Sequence, residues 1–111
     1  MLSPGAARKV TVFINEDAKH HHGSLCDAIL NFLLHAGVSG ATATRAIAGF
    51  GAHHSIHTNK IELLSEHLPL RIEFIESAAN VDELMPALCD MVVDGLVEVQ
   101  DTTVVKVAPR P

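Results

Sequence analysis

The sequence predicts an α+β domain of the ferredoxin-like type, with elements in the order β-α-β-β-α-β. Segments that alternate apolar and polar residues, as strands do, occur in two pairs, and each pair encloses one segment with helical apolar spacing. Two such units fold as a four-stranded antiparallel sheet with both helices on one face. We expect residues 1–7 to form a flexible tail and residues 8–108 to form this single domain.

The first unit is predicted from residues 9–14, which alternate as a strand with one buried face. Ser24 is a favourable N-cap, and residues 25–36 carry apolar side chains at helical spacing. Gly37 follows directly and can adopt the left-handed conformation that ends a helix. Residues 41–50 are rich in Thr, Ala and Ile, which predicts the second strand.

The second unit begins with a predicted strand at residues 70–75, after Pro69. Asn80 is predicted to cap the second helix, which Gly95 would end and Pro86 would bend. A fourth strand is expected at residues 96–99, and a short fifth strand or extended tail at 103–107. Since the helices cover one sheet face, the opposite face is predicted to be solvated or to meet another subunit.

Composition limits the classes of function that suit this chain. A formal net charge of −5 argues against a nucleic-acid polymer as partner, because neutralising phosphates requires a basic face. Apolar residues make up 48% of the chain, which is enough to bury a core. Cys26 and Cys89 are expected to be free thiols in a reducing compartment, and we predict a cytoplasmic protein.

A segment at the end of the second predicted strand indicates where function lies. Gly49 and Gly51 flank Phe50, and a polar stretch at about residues 51–68 follows. Paired glycines permit a sharp bend or a close approach of the backbone to another group. A loop of this length in so small a domain is usually functional or disordered.

Anion or nucleotide binding is the leading hypothesis for the base of this loop. Gly49 and Gly51 would let backbone donors approach a ligand, Arg45 and Lys60 would supply positive charge, and Phe50 would supply an apolar or stacking surface. The alternative is a β-bulge that places Phe50 in the core. The two interpretations are compatible, because a structural turn often forms one wall of a ligand site.

Histidines suggest a second hypothesis, since neutral imidazoles are good ligands for zinc, copper or nickel. His53, His54 and His57 lie together in the predicted loop, although their spacing matches no known metal motif. The alternative is that they are solvated polar residues. The run at residues 20–22 is interpreted as an exposed polar turn.

Catalysis is not expected. Ser55 lies beside His54, but no Gly-x-Ser-x-Gly nucleophile motif is present. The two cysteines lie on predicted helices among apolar neighbours, which is typical of inert thiols. The acidic residues are dispersed along the chain, so no general acid and base pair is indicated.

Several motifs together resemble the PII-like family catalogued as domain of unknown function 190. They are Arg-Ala-Ile-Ala-Gly-Phe-Gly at 45–51, Ile-His-Thr at 56–58, Leu-Ser-Glu-His-Leu-Pro at 64–69 and Asp-Gly-Leu-Val at 94–97. A more distant similarity, in Gly-Phe-Gly and His-Thr, links the chain to the nitrogen-regulatory PII proteins.

This resemblance implies a homotrimer of ferredoxin-like subunits with a ligand cleft between neighbouring subunits at the loop base. It further implies a regulator rather than an enzyme, whose long loop engages a partner such as a membrane transporter or channel. The ligand and any cofactor stay unassigned. One alternative is a metal-binding protein of the same fold, similar to the trimeric divalent-cation tolerance proteins; another is a structural trimer without a ligand.

The sequence departs from PII proteins at two places. Their second glycine- and lysine-rich turn corresponds to residues 93–98, which hold two acids and no Lys or Arg. Phosphates bind where cations and backbone donors converge, so this turn does not favour nucleotide binding in the usual PII manner. The chain also has no Tyr, and therefore lacks the tyrosine that PII loops carry for modification.

Overall fold

A computed structural model describes residues 2–50 and 68–108, and the structural statements below concern these residues. They form a four-stranded sheet, two helices and a small hairpin. In chain order the elements are β1 (Gly5–Asn15), β2 (Lys19–His20), β3 (Gly23–Ser24), α1 (Leu25–His35), β4 (Ala41–Arg45), β5 (Pro69–Glu76), α2 (Ala78–Met91) and β6 (Leu96–Val104).

The sheet has the strand order β4-β5-β1-β6, and each neighbouring pair is antiparallel. β1 and β5 are therefore the central strands. The short hairpin of β2 and β3 stands apart from the sheet and leads directly into α1. This arrangement confirms the predicted ferredoxin-like α+β fold.

The core lies between the helices and one face of the sheet. Alternate residues of the two central strands point into it, as the alternating sequence pattern predicts. Each helix contributes residues at helical spacing, and the best-buried side chains from both layers are Val10, Val12, Ile29, Leu33, Ile72, Val81 and Leu88. Neither helix in the described ranges is long and apolar enough to cross a bilayer.

The first helix is built as its sequence predicts. Asp27 donates its backbone N–H to Ser24 Oγ at 3.0 Å, which satisfies one of the unpaired donors at the helix start. The helix ends at His35, and Gly37 follows with φ +82°, in the left-handed region that glycine adopts without strain.

The second helix begins earlier than predicted, which corrects the assignment of Asn80 as its cap. Ser77 is the N-cap, and its Oγ accepts a hydrogen bond from Asn80 N at 3.2 Å. Ser and Asn are both good caps, and two intervening alanines, which are strong helix formers, allow the earlier start. The helix contains Pro86 and ends at Met91, four residues before Gly95.

Strand lengths also differ from the predictions. β1 begins at Gly5, within the segment predicted to be a flexible tail, because β6 extends far enough to pair with it. The strand character predicted at 96–99 and at 103–107 belongs to one continuous strand that ends at Val104. β4 is shorter than predicted and ends at Arg45.

The sheet face opposite the helices is polar at its centre. Lys9 Nζ lies 2.9 Å from Glu73 Oε2, and Arg71 Nε lies 3.0 Å from Glu73 Oε1. Hydrogen bonding to Lys9 is the main cause that holds the pKa of Glu73 below its usual range, and the charges of both cations add to it. The face is thus lined by paired charges rather than by a continuous apolar surface.

At the last residue of β5, Glu76 is 1% exposed and carries a buried carboxylate. It accepts hydrogen bonds from Asn80 Nδ2 at 2.9 Å and from both the backbone N–H and the hydroxyl of Ser39 at 3.2 Å. A longer bond of 3.4 Å comes from Ser77 N. This carboxylate therefore joins the connection between α1 and β4 to the start of α2.

Candidate functional site

The predicted ligand site falls at the end of the sheet where β1 and β4 finish and β5 and β6 begin. We call this the loop-base end, and it comprises residues 15–19, 45–50, 68–69 and 92–96. Arg45, Gly49 and Phe50 lie there. The other predicted site residues, which lie outside the described ranges, are Gly51, His53, His54, His57 and Lys60.

Arg45, the last residue of β4, forms a two-point ion pair with Glu16. Its Nε lies 2.7 Å from Glu16 Oε2, and its Nη2 lies 3.0 Å from Oε1. Glu16 follows β1 directly and is held in place by a hydrogen bond of 2.9 Å from its backbone N–H to the carbonyl of buried Leu68. Glu16 has no local sequence signal for this role, because the two partners are 29 residues apart in the chain.

This pairing positions the guanidinium while leaving much of it accessible. The Arg45 side chain is 57% exposed, whereas that of Glu16 is 19% exposed. A guanidinium carries five N–H donors in a planar fork, and pairing through Nε and Nη2 directs the Nη1 donors away from the carboxylate. Arg45 is therefore a cation that is paired with Glu16 through one edge and remains more than half exposed, with its charge partly offset by the carboxylate.

The segment after β4 runs beside the start of β5. Ala46 N donates to the carbonyl of Pro69 at 2.9 Å, and Gly49 adopts φ +153°. A Cβ at Gly49 would lie 3.2 Å from Pro69 Cγ, so a side chain there would be both strained and tightly packed. A glycine is required here by backbone conformation and by space.

Phe50 is 71% exposed. The alternative interpretation of the Gly-Phe-Gly segment, in which Phe50 packs into the core, is therefore wrong. The core beneath the sheet is already filled by aliphatic side chains from the helices, and β4 ends five residues before Phe50. Its side chain instead lies at the surface of the loop-base end.

The turn between α2 and β6 is seated directly on β1. A Cβ at Gly95 would lie 2.3 Å from the carbonyl oxygen of Phe13, which no real side chain tolerates. The glycine thus allows two backbones to meet, and this role differs from the helix-ending role predicted for it. The sequence predicts a structural role for Gly95, but it does not reveal the contact with the carbonyl of Phe13.

An open cleft of about 360 Å³ lies between this turn and the chain that leaves β1. It carries two carboxylates and one lysine, and it is lined by Asn15, Asp17, Ala18, Lys19, Leu25, Val93 and Asp94. The excess of acid disfavours phosphate binding on this side, in agreement with the prediction from the 93–98 turn.

The histidine run lies on the β2–β3 hairpin. His20 pairs with Gly23, so His21 and His22 form a two-residue turn, and both are exposed. This confirms the predicted polar turn. Among residues 2–50 and 68–108, no group of three or more His, Cys, Asp or Glu side chains is placed to hold a metal ion. The loop histidine hypothesis stays a prediction.

The chain matches a known protein family along most of its length. The model of the family DUF190, described as an uncharacterised ACR, matches residues 7–104. A UPF0166 protein of Methanocaldococcus jannaschii is 28% identical over 101 residues, which cover 90% of this chain and 93% of that protein. A UPF0166 protein of Aquifex aeolicus is 27% identical over 94 residues, covering 85% of this chain and 89% of its own.

Solved structures resemble the fold at low sequence identity. CPII from Thiomonas intermedia, a nitrogen-regulatory PII-like protein solved with ADP, AMP and bicarbonate, has a TM-score of 0.63 at 19% identity, covering 93% of this chain and 99% of its own. A PII-like protein from Thermus thermophilus has a TM-score of 0.64 at 18% identity, covering 94% of each chain. The family match shows that the chain belongs to the DUF190 family, and the solved structures show that it shares the fold of PII-like proteins.

Proposed function

We propose that this protein is a PII-like regulator that binds a small anionic ligand at the loop-base end. The observation that carries the proposal is the two-point pair of Arg45 with Glu16, which holds an accessible guanidinium at the base of the long loop. Gly49 lies on the same side, close against Pro69, and exposed Phe50 follows it. A nucleotide has an anionic group for the guanidinium and a base for the aromatic ring.

Similarity to CPII indicates which ligands to test. That protein was solved with ADP, AMP and bicarbonate. Bicarbonate is small and planar and suits two-point recognition by a guanidinium edge, as carboxylates do. The acidic side of the cleft next to the α2–β6 turn favours a ligand with few phosphates, because each added charge increases the repulsion from Asp94 and Asp17.

Calorimetric titration with ADP, AMP, ATP and bicarbonate tests this proposal. Wild-type protein should bind at least one of the four, and Arg45→Ala should weaken that binding by roughly tenfold or more, since a charge-assisted hydrogen bond contributes about 1.5–3 kcal/mol. Arg71→Ala is the matched control, because Arg71 is a similarly exposed arginine that also pairs with a glutamate, on the open sheet face.

The Glu16→Gln variant tests whether the charge of Glu16 affects ligand binding apart from its role in positioning Arg45. Removing the carboxylate charge while keeping its shape should leave Arg45 near its place with less of its charge offset, and so should strengthen anion binding. The proposal would be abandoned if all four ligands gave no heat, or if Arg45→Ala and Arg71→Ala had equal effects on binding.

Assembly is a second part of the proposal. We infer a homotrimer in the cytoplasm, with the ligand cleft completed by a neighbouring subunit. Supporting this, apolar side chains are exposed at the loop-base end itself, among them Ile47 at 88% and Leu96 at 57%. Sedimentation equilibrium at micromolar concentration should give about three chains per particle; a monomer would remove the inter-subunit cleft.

We propose that the long loop binds a partner protein, and that this partner is a membrane transporter or channel. A ligand can act on that partner only if it binds one loop state more tightly than the other. The competing proposal is metal binding by His53, His54 and His57. Metal binding would be favoured if wild-type protein bound zinc, if His53→Ala/His54→Ala/His57→Ala lost this binding, and if none of the four anions gave a heat of binding.

A further inference from the structure

The β2–β3 hairpin carries two imidazole rings in contact, and the ligand site described above does not use them. The ring centres of His20 and His21 are 4.3 Å apart, with their planes inclined at 62°. Two-residue hairpin turns place adjacent side chains close together at the tip, and this tip is exposed. The two rings therefore form an accessible pair on a backbone whose conformation is fixed by strand pairing.

The backbone at the tip is unusual for histidine. His21 has φ +56°, and among the described residues it is the only one other than glycine with a positive φ. The first position of such a turn normally holds Gly, Asn or Asp, since a Cβ is disfavoured in this region. Histidine enters this region more often than most residues with a Cβ, but the conformation is sparsely populated, and such conformations are associated with functional positions.

The distance between the two ring centres can be compared with the distance expected for two imidazoles bound to one metal ion. A metal bound to an imidazole nitrogen at about 2.0–2.1 Å lies roughly 3.2 Å from the ring centre. Two rings on one ion would then have centres about 4.5 Å apart at a right angle and about 5.2 Å apart at a tetrahedral angle. The observed 4.3 Å is an edge contact between two free rings, and this spacing is closer to the right-angle arrangement, which Cu²⁺ and Ni²⁺ prefer, than to the tetrahedral one.

We propose that His20 and His21 form a surface site for a transition-metal ion that prefers square-planar coordination, with Cu²⁺ as the tightest ligand. Imidazole nitrogen suits copper and nickel, and the order of divalent affinities places Cu²⁺ above Ni²⁺ and Zn²⁺. A formal charge of −5 on the chain further favours cations over anions at its surface. Water completes the coordination, because within residues 2–50 and 68–108 the structure brings only these two rings together.

Cu²⁺ titration followed by electron paramagnetic resonance tests this site. The background is His53→Ala/His54→Ala/His57→Ala/His67→Ala, so that the four histidines of residues 51–68 do not contribute. One Cu²⁺ per chain should bind with a nitrogen coupling pattern from two imidazoles. His21→Gly should lower the affinity by roughly a hundredfold, because the second ligand of a chelating pair binds intramolecularly.

The His21→Gly substitution suits this test because glycine adopts φ +56° readily and keeps the hairpin intact. The matched control is His35→Ala, since His35 is an exposed histidine on α1 whose ring contacts Asn31 O rather than another imidazole. That variant should leave the affinity and the spectrum unchanged. Equal Cu²⁺ affinity in His21→Gly and its background, or a spectrum with one nitrogen in the background protein, would overturn the proposal.

Discussion

The two ends of β5 are held in different ways. At its last residue, the buried carboxylate of Glu76 accepts hydrogen bonds from three residues, none of them cationic. At the loop-base end, the carboxylate of Glu16 instead pairs with an arginine that is more than half exposed. The first arrangement fixes the fold, whereas the second leaves a cation that a ligand can reach.

The comparison extends to the backbone. The loop-base end depends on glycines at which chain segments approach closely, namely Gly95 against β1 and Gly49 against Pro69. The end at Glu76 relies on side-chain hydrogen bonds to the connection after α1 and to the start of α2. At Gly95 two backbones meet, and at Gly49 the backbone packs against the Pro69 ring, so side chains are excluded at both positions.

Gly95→Ala should have the largest effect on stability. The new Cβ would lie 2.3 Å from a backbone oxygen that cannot move without disturbing β1, so we expect a loss of about 3 kcal/mol in the free energy of unfolding. Urea denaturation measures this. Gly40→Ala is the control, because a Cβ there meets no atom within 4 Å and the change should be near zero. Equal stabilities in the two variants would show that the α2–β6 turn is not seated as described.

Glu76→Gln tests the end of β5 that lies away from the loop base. We expect a loss of about 2 kcal/mol in the free energy of unfolding at neutral pH. Burial raises the pKa of Glu76, but hydrogen bonds from Asn80, Ser39 and Ser77 outweigh it, so the pKa lies below the usual value. The unfolded chain therefore binds the proton more readily than the folded chain. The ionised Glu76 carboxylate stabilises the fold fully above the unfolded pKa of about 4.3, and this stabilisation is lost as the pH falls through the folded pKa.

The same variant should accordingly approach wild type in stability as the medium becomes strongly acidic. Chemical denaturation at several pH values measures the difference. Glu83→Gln on the exposed side of α2 is the control and should show little difference at any pH. If the gap between Glu76→Gln and wild type did not narrow in acid, Glu76 would not be the ionised anchor of this end.

Gly49→Ala should cost about 1 kcal/mol, less than Gly95→Ala. Its Cβ would meet Pro69 Cγ at 3.2 Å, which a small shift of the ring can relieve, but the backbone at φ +153° would remain unfavourable for alanine. Thermal unfolding beside Gly40→Ala measures the cost. A stabilised Gly49→Ala protein would contradict the described conformation.

Arg45→Ala should have the smallest effect on stability, below about 1 kcal/mol, because exposed ion pairs contribute little. Arg71→Ala provides the comparison, since its side chain is 50% exposed. Unfolding curves of the two variants should nearly overlap, while only Arg45→Ala alters ligand binding. A large stability loss in Arg45→Ala would assign the residue to the architecture rather than to the ligand.

Local patterns were sufficient to predict the fold class. Alternation in β1 and β5 identified which side chains are buried, and the stripe of α1, with its cap at Ser24 and its end near Gly37, was predicted correctly. These features depend on neighbours a few residues away, which the sequence displays directly. Ferredoxin-like topology then follows from the order of the elements.

The ends of helices and strands were harder to predict, because more than one residue was suitable for the terminal position. Ser77 and Asn80 are both suitable caps, and the choice of Ser77 is accompanied by the bond from Asn80 to the buried Glu76 carboxylate. Similarly, β1 begins at Gly5 only because β6 supplies a partner there. Pairing between distant strands decides such limits, and it has no local signature.

The sequence by itself determined the class of fold, the core faces and the position of the glycine-rich loop base. Only the tertiary structure decided that Arg45 pairs with Glu16, that Gly95 meets the carbonyl of Phe13, and that Phe50 is exposed. The physical reason is distance along the chain. Periodicity and capping act over a few residues, whereas these contacts join segments that are brought together by strand order and register.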